Sequence, residues 1–417
     1  MKNVANGLIA VLILIPWIPN AHADQFQIRP FIAVRGEYND NIFFSPNSND
    51  AENDYILTIR PGIVLSDRTE RLNWLLRGQV APFFYKNNSD LDDVDQDYRG
   101  RIRYQFTPRF YGEGDAFFIE DHRIDRDLTA TGLVQNADRR RRYHFGGGMG
   151  YSLTEITTAD LNYNFNRDNW EKEADREDVD YSSVEVGLSH NLSRWLRETT
   201  GQLILGYGNV DRDSANSDTF AAEAGVRYRL SELFDLRLRG GARYVSSDFD
   251  TGSGSGRESN TGWGGIGAAI LGYNGERTRS NLLFSRDLSP GSGRGTPTVL
   301  TRLLGTVNYQ LLEDLRIGLR AGIYRNKADE GDFGTQEIDQ YTYRFQPNLR
   351  WEFYENFALT AAYQYTYLDN QVTDRNSVRN SVFLQISYGL PLFDFFDLND
   401  TEIRQVVSEA VPVPEPQ

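Results

Sequence analysis

Residues 314–325 read DLRIGLRAGIYR. Leu315, Ile317, Leu319, Ala321 and Ile323 fall at every second position, and Arg316, Gly318, Arg320, Gly322 and Tyr324 fill the gaps. A helix would scatter these arginines around its circumference; a strand stacks them on one side. The stretch therefore predicts a β-strand with one apolar face and one arginine-bearing face. The same division recurs at 234–244 (FDLRLRGGARY), where Leu236, Leu238, Gly240 and Ala242 oppose Arg237, Arg239, Gly241 and Arg243. At 340–353, Tyr341, Tyr343, Phe345, Pro347, Leu349 and Trp351 oppose Arg344, Gln346, Asn348 and Arg350.

Working outward, the connections alternate in length. LTEI (153–156), LSRW (192–195), LSEL (230–233), LEDL (312–315) and YENF (354–357) are short. Longer acidic or glycine-rich pieces lie between them, such as 166–180, 248–262, 287–298 and 327–339. This is a hairpin repeat whose short turns all lie at one end. Eighteen amphipathic segments can be read, from about 27–38 to about 377–390. The fold class expected is all-β: a transmembrane antiparallel β-barrel of 18 strands with short periplasmic turns and long extracellular loops. Aromatics gather at the short turns (Trp195, Phe234, Trp351, Phe353, Tyr354 and Phe357), where an interfacial girdle belongs. A soluble sandwich would also alternate, but without the one-sided turn asymmetry.

The chain begins MKNVANGLIAVLILIPWIPNAHADQ. Lys2, an apolar run and Ala21-His22-Ala23 read as a secretory signal peptide over 1–23. The barrel is then expected over 24–393 and a periplasmic tail over 394–417. There is no Cys, which removes disulfides, thiolate metal sites and Cys nucleophiles. The formal charge is −15, and loss of Lys2 takes it to −16. That sign argues against a nucleic-acid partner. Lipid and lipopolysaccharide of a Gram-negative outer membrane are the expected surroundings.

The stretch GEYNDNIFF (36–44) ends the first amphipathic segment. Asn and Asp accept backbone N–H groups and tolerate left-handed turns, so Asn39, Asp40 and Asn41 are expected to cap that strand. The element Tyr38, Asn39, Asp40, Asn41, Ile42, Phe43 resembles the N-terminal element of the second β-barrel porin family, outer-membrane proteins found beside exopolysaccharide and exosortase gene clusters. The resemblance implies a barrel that passes polysaccharide or assists its export, with periplasmic export components as partners.

The candidate lumen residues are the arginines of the polar faces: Arg99, Arg101, Arg103, Arg227, Arg229, Arg237, Arg239, Arg243, Arg316, Arg320, Arg344 and Arg350. A lipid-facing Arg at mid-membrane would cost about 2–4 kcal/mol, so these faces are expected to point inward. There they can guide anions. They can equally serve as scaffold, paired with Glu223, Asp235 and Glu352. The acidic stretches 87–97 and 211–218 have oxygen donors but no calcium-loop spacing, so no metal or cofactor is assigned. His122, His144 and His190 lie in separate segments, and no catalytic motif accompanies them, so no enzyme activity is expected. The alternative to export is a general diffusion porin for small anionic solutes. The longest connection, 121–140, could fold inward and narrow such a pore or cover its mouth.

The turn asymmetry sets the orientation. Ser255→Cys and Asp332→Cys, in long connections, are expected to react with an impermeant thiol reagent on intact cells. Glu232→Cys and Glu313→Cys, at short turns, should stay unreacted, and the reverse pattern would invert the barrel.

Overall fold

The computed structural model describes residues 26–389 except 124–127, 131, 134–137, 172–176, 251–255, 293–295 and 330–336. Residues 1–23 and 394–417, expected as signal peptide and tail, lie outside the described residues, as do Ser255 and Asp332. Eighteen strands follow the alternating segments: β1 (Gln27–Asn39), β2 (Asp54–Arg68), β3 (Leu72–Tyr85), β4 (Asp93–Thr107), β5 (Phe110–Asp121), β6 (Arg140–Thr154), β7 (Thr157–Trp170), β8 (Val179–Asn191) and β9 (Thr199–Asp211). They continue as β10 (Ala215–Arg229), β11 (Phe234–Asp250), β12 (Arg257–Asn274), β13 (Thr278–Ser289), β14 (Thr298–Gln310), β15 (Leu315–Ala328), β16 (Ile338–Tyr354), β17 (Phe357–Asn370) and β18 (Arg375–Tyr388).

Every strand pairs antiparallel with its sequence neighbours, and β1 pairs with β18, from Ile32 opposite Tyr388 to Asn39 opposite Ser381. The sheet is thus a closed barrel of 18 strands, as the alternation predicts. Closure leaves no edge whose N–H and C=O groups would face lipid.

Side chains sort by parity. On β15, Ile317 and Ile323 face out and are exposed, while Arg320 and Tyr324 face in and are buried. On β16, Tyr343, Phe345, Leu349 and Trp351 face out, and Gln346, Asn348 and Arg350 face in. The outer surface carries aromatics at two heights. Near the short turns lie Phe234 with Tyr273 (ring centres 4.8 Å apart), Trp351 with Phe353 (5.7 Å) and Phe357 with Tyr388 (4.9 Å). Toward the other end lie Tyr38 with Tyr55 (5.1 Å), Tyr207 with Phe220 (5.1 Å) and Tyr244 with Trp263 (5.2 Å). Two aromatic belts around an aliphatic band are what two membrane–water interfaces require.

Two expectations need correcting. The ninth amphipathic segment, read from the sequence as 195–209, does not open at Trp195: the chain turns over 192–198, where the Leu196 N–H bonds the Leu192 carbonyl and Glu198 has φ +52°, and β9 starts at Thr199. The connections at the long-loop end are also not all long. Residues 212–214 and 371–374 are tight turns, and Asp218, read as part of an acidic loop, sits within β10.

The Asn-Asp-Asn element does more than cap β1. The Asn41 N–H bonds Asn39 Oδ1 (3.1 Å), which is local capping. Asp40 accepts from the Asn380 N–H and from Asn380 Nδ2, both at 2.7 Å. Asn41 Nδ2 donates to the Val378 carbonyl (3.0 Å), and its Oδ1 accepts from the Ser45 N–H (2.9 Å). The element therefore fastens the first strand to the last, at the seam where closure occurs. Tyr38 faces outward in the upper belt, and Phe43 lies in the turn that follows.

Asp40→Ala and Asn41→Ala are expected to cost about 1–3 kcal/mol each, because each leaves charge-assisted or buried partners unmade. Urea unfolding of the detergent-folded barrel, followed by the heat-modifiable gel shift, measures this. Midpoints equal to the parent's would remove the seam role.

Candidate functional site: the barrel lumen

The inward parity brings the predicted arginines together inside the barrel. All twelve lie on inward-facing positions, with Arg229 at the rim beside the short turns. Their expected acidic partners are also there: Arg239 meets Glu223 at 2.9 Å, Arg237 meets Asp235 at 3.4 Å and Arg350 meets Glu352 at 3.8 Å. Arg99 holds Asp97 (2.7 Å), Arg103 meets Glu113 (3.8 Å), Arg243 meets Asp287 (4.0 Å) and Arg229 meets Glu198 (3.4 Å). Much of the arginine content is therefore scaffold as well as lining.

The charges are not evenly spread. The inward face of β14–β18 carries Arg302, Arg316, Arg320, Arg344, Arg350 and Arg379. Among the described residues its one acid is Glu352, near the short-turn end. Arg316 stands directly opposite Arg350 in the ladder, a like-charge pair that is unfavourable in itself. With its amide turned to suit them, Gln364 Oε1 accepts from Arg379 (3.1 Å) and Arg344 (3.2 Å). Half a circumference away, β4–β8 turn Asp95, Asp97, Glu113, Asp115, Asp160, Asp168 and Glu185 inward, mixed with Arg99, Arg101, Arg103, Arg140 and Arg142. One wall of the lumen is thus basic, and the wall across from it is richer in acids.

The described residues of the connection 121–140 turn inward. At its root His122 lies between Asp93 (2.8 Å) and Asp95 (3.2 Å), and Arg139 meets Asp93 at 3.2 Å. Burial disfavours the His122 cation, but the two carboxylates outweigh burial and raise its pKa to about 9. Arg139 Nε also approaches His122 Nε2 to 2.6 Å, a contact only the neutral ring can accept. With two carboxylates on the ring the protonated form is favoured, and Arg139 then has Asp93. The next residue, Arg123, reaches Glu37 on β1 at 3.7 Å. Further on, Leu128 is fully buried against Phe44 and Leu368, with Leu133 packed on the same cluster. Thr342 Oγ1 donates to the Leu128 carbonyl (3.4 Å), and the Leu133 N–H donates to Gln340 Oε1 (3.3 Å). Asn326, with its amide turned, donates to the Ala130 carbonyl (2.9 Å) and accepts from the Gly132 N–H (3.3 Å). The loop leaves β5, passes β4 and β1, and docks on the inner faces of β15–β17. The start of a second connection also turns in: the Pro290 carbonyl accepts from Arg212, and Ser292 is buried within reach of Asp168 on β7.

This is an outer-membrane β-barrel. No family model matches the chain, and no curated protein matches it. The resemblance of residues 38–43 to the second β-barrel porin family therefore rests on those residues alone, and its gene-cluster association has no support. Among solved structures the chain is similar to OccAB4 of Acinetobacter baumannii, with a TM-score of 0.44, 9% identity, and 88% of this chain and 99% of that chain covered. It is similar to OccK2 (OpdF) of Pseudomonas aeruginosa, solved in complex with glucuronate, at 0.43, 8%, 87% and 98%. It is also similar to the ferric citrate transporter FecA in its unliganded form, at 0.47, 8%, 82% and 60%. Likeness at this level carries neither substrate nor mechanism across, so the chemistry of the lumen has to come from its own side chains.

Sequence reading missed Arg35, Arg60, Arg77, Arg302 and Arg379, which also face inward. Arg77 and Arg302 are the sole arginines of their strands, Arg60 lies beside a proline, and Arg35 and Arg379 stand apart from the next arginine of the same parity, so no i, i+2 stripe draws the eye; Arg140 and Arg142, also inward, are hidden in the run Arg139 to Arg142. Parity alone could have found them. The acidic stretch 87–97 is not a loop cluster: Asp93 and Asp95 start β4 and serve His122, and Asp92 accepts from the Tyr85 N–H (2.6 Å). His144 lies inward between Asp115 (2.8 Å) and Asn166 (2.9 Å), stacked on Phe117, while His190 faces outward and bonds Thr157 (2.8 Å).

The loop is expected to narrow the passage. Leu128→Asp would place an unpaired carboxylate in a dry cluster at a cost on the order of several kcal/mol, and so release it. Single-channel conductance in planar bilayers should rise, and an unchanged conductance would mean the loop lies outside the conducting path. Because the raised His122 pKa stabilises the loop root only while the ring is charged, the anchoring is complete below about pH 6.5 and is lost as pH passes about 9. Current noise from loop release should grow over that interval in the wild-type channel and be absent in His122→Gln.

Proposed function

We propose that the chain is a diffusion channel for small anionic solutes in the outer membrane. The observation that carries this reading is the basic inner wall of β14–β18, which faces a wall richer in carboxylates. Guanidinium groups are planar multidentate donors to carboxylate, sulfate and phosphate oxygens. A wall of them between low-dielectric barrel sides draws anions in and holds them weakly enough to pass on. The loops 121–140 and 290–297 reduce the mouth, which favours small solutes over a polymer. Conduction of exopolysaccharide, the function implied by the resemblance of residues 38–43, finds no such support. A role in catalysis is not part of this reading: His144 is engaged by Asp115 and Asn166, and His190 faces lipid.

On the outside, the proposed partners are lipid and lipopolysaccharide. The aromatic belts suit the interfaces, and Lys86, Arg141, Arg167 and Arg325 stand outward near the long-loop end, where headgroup phosphates lie.

Reversal potentials across salt gradients test the channel reading. The wild-type channel should prefer anions. The combined variant Arg316→Gln, Arg320→Gln, Arg344→Gln should move toward cation preference. A folded variant of unchanged selectivity would leave those arginines as scaffold alone.

A further inference from the structure

Arg60 stands at mid-height on the inner face of β2. Its register neighbour on β1 is Ala33. On β3 the register runs from Thr58 opposite Phe83 to Gly62 opposite Gln79, which puts Ala81 opposite Arg60. Small side chains flank it on both sides, so neither neighbour can pair with it or block it. Among the described residues Arg60 has no ion-pair or hydrogen-bond partner, and its side chain is only half-buried. Among the described residues, the charged groups that act on it most are three more cations, Arg35, Arg77 and Arg123, and one acid, Asp95, which His122 already engages.

The surrounding cations are held in place. Arg35 bonds Glu37 (2.6 Å) and lies 3.7 Å over the ring of Phe383. Arg77 lies 5.2 Å over Phe31, and Arg123 reaches Glu37 from the folded-in loop. Phe31 and Phe383 are both buried. Phe31 can lie there because residue 62 is glycine: a Cβ at Gly62 would stand 2.2 Å from the ring. An arginine among three others, with no counter-charge of its own among the described residues, is stabilised when something negative joins it.

We propose that Arg60, with Arg35, Arg77 and Arg123, forms a binding site for a small doubly charged oxyanion. Among the described residues, four arginines stand against two engaged acids, Glu37 and Asp95, and the net double positive charge favours a dianion over chloride. The planar guanidinium fork suits the paired oxygens of phosphate, sulfate or a dicarboxylate. The site faces the lumen, so a free solute reaches it and a lipid headgroup does not. It lies on β1–β3 under the loop, on strands other than the basic wall. The inference rests on the anion-channel reading and gives that channel a saturable site.

The test is calorimetric titration of inorganic phosphate and of sulfate into the full-length barrel folded in detergent, paired with block of chloride current in bilayers. Wild-type protein should bind both dianions saturably, and nitrate should not compete. R60Q should weaken dianion binding about tenfold, the loss of one charge-assisted contact. Because Arg60 sits among like charges, R60Q should leave the urea midpoint in anion-free buffer unchanged or raised. R60K, which keeps the charge but not the fork, should fall between the two and serves if R60Q fails to fold. Absence of saturable binding in the wild type, or equal affinity in a folded R60Q, overturns the site. A wild-type channel that prefers cations overturns the channel reading instead, and the calorimetry reads the site separately from that result.

Discussion

A bilayer offers no hydrogen bonds. Every backbone N–H and C=O that crosses it must find a partner within the protein. For a chain of amphipathic strands that constraint has one solution, a sheet whose first and last strands meet. Here the meeting is β1 with β18, eight register pairs from Ile32–Tyr388 to Asn39–Ser381. It joins segments some 340 residues apart, so its entropy cost is that of closing a very long loop. Backbone pairing alone would hold the seam as it holds any hairpin, but no turn covalently enforces its register. Asp40 and Asn41 take the place of a turn, grasping Asn380 and the Val378 carbonyl from the end of β1.

Closure then decides what the inside must be. Parity divides each strand between lipid and lumen, and lipid accepts almost no charge at mid-depth. The arginines and carboxylates therefore accumulate inside at high density. Many neutralise one another along a strand or across one ladder step, as Arg99 does with Asp97 and Arg239 with Glu223. These pairs stiffen the wall and contribute little field at a distance. The inner face of β14–β18 differs in that arginines far outnumber acids among the described residues, where Glu352 is its one carboxylate. In the proposed channel, scaffold and guidance would be two parts of one charge distribution, separated by the local balance of arginines and acids.

The architecture was legible in the sequence because its cause is periodic. The alternation in 314–325 puts Arg316 and Arg320 on the face opposite Ile317 and Ile323, and the i, i+2 spacing puts Arg237 beside Asp235 and Arg350 beside Glu352. Non-periodic features were hidden. Trp195 looked like a strand start because an apolar pair follows Arg194, but the chain makes a helical-type turn there first. Asn39 to Asn41 read as a local cap because their partner Asn380 is distant in sequence. The inward course of 121–140 depends on Leu128 finding Phe44 and Leu368, a contact among three segments that no single segment announces. Arg60 sits between Ile59 and Pro61, so it forms no visible stripe, and its significance comes from what stands beside it on β1 and β3.

The two inward loops also bear on how the walls act on a solute. The 121–140 loop is anchored at its root to β4 and β1 and further along to β15–β17, so it lies over both the Arg60 region and the upper basic wall. The loop 290–297 instead reaches Arg212 and Asp168, on the side where acids are denser. In the proposed channel, a solute entering from the long-loop end would pass the described parts of both loops before it meets the arginines. Confinement excludes water and lowers the local dielectric, and both strengthen the pull of a fixed charge on a passing one. The same guanidinium groups in a wide aqueous mouth would be screened within about 8–10 Å at ordinary salt. In the proposed channel the loops and the basic wall would be coupled: the wall's selectivity would depend on how narrow the loops make the passage, and a released loop would weaken discrimination even with every arginine in place.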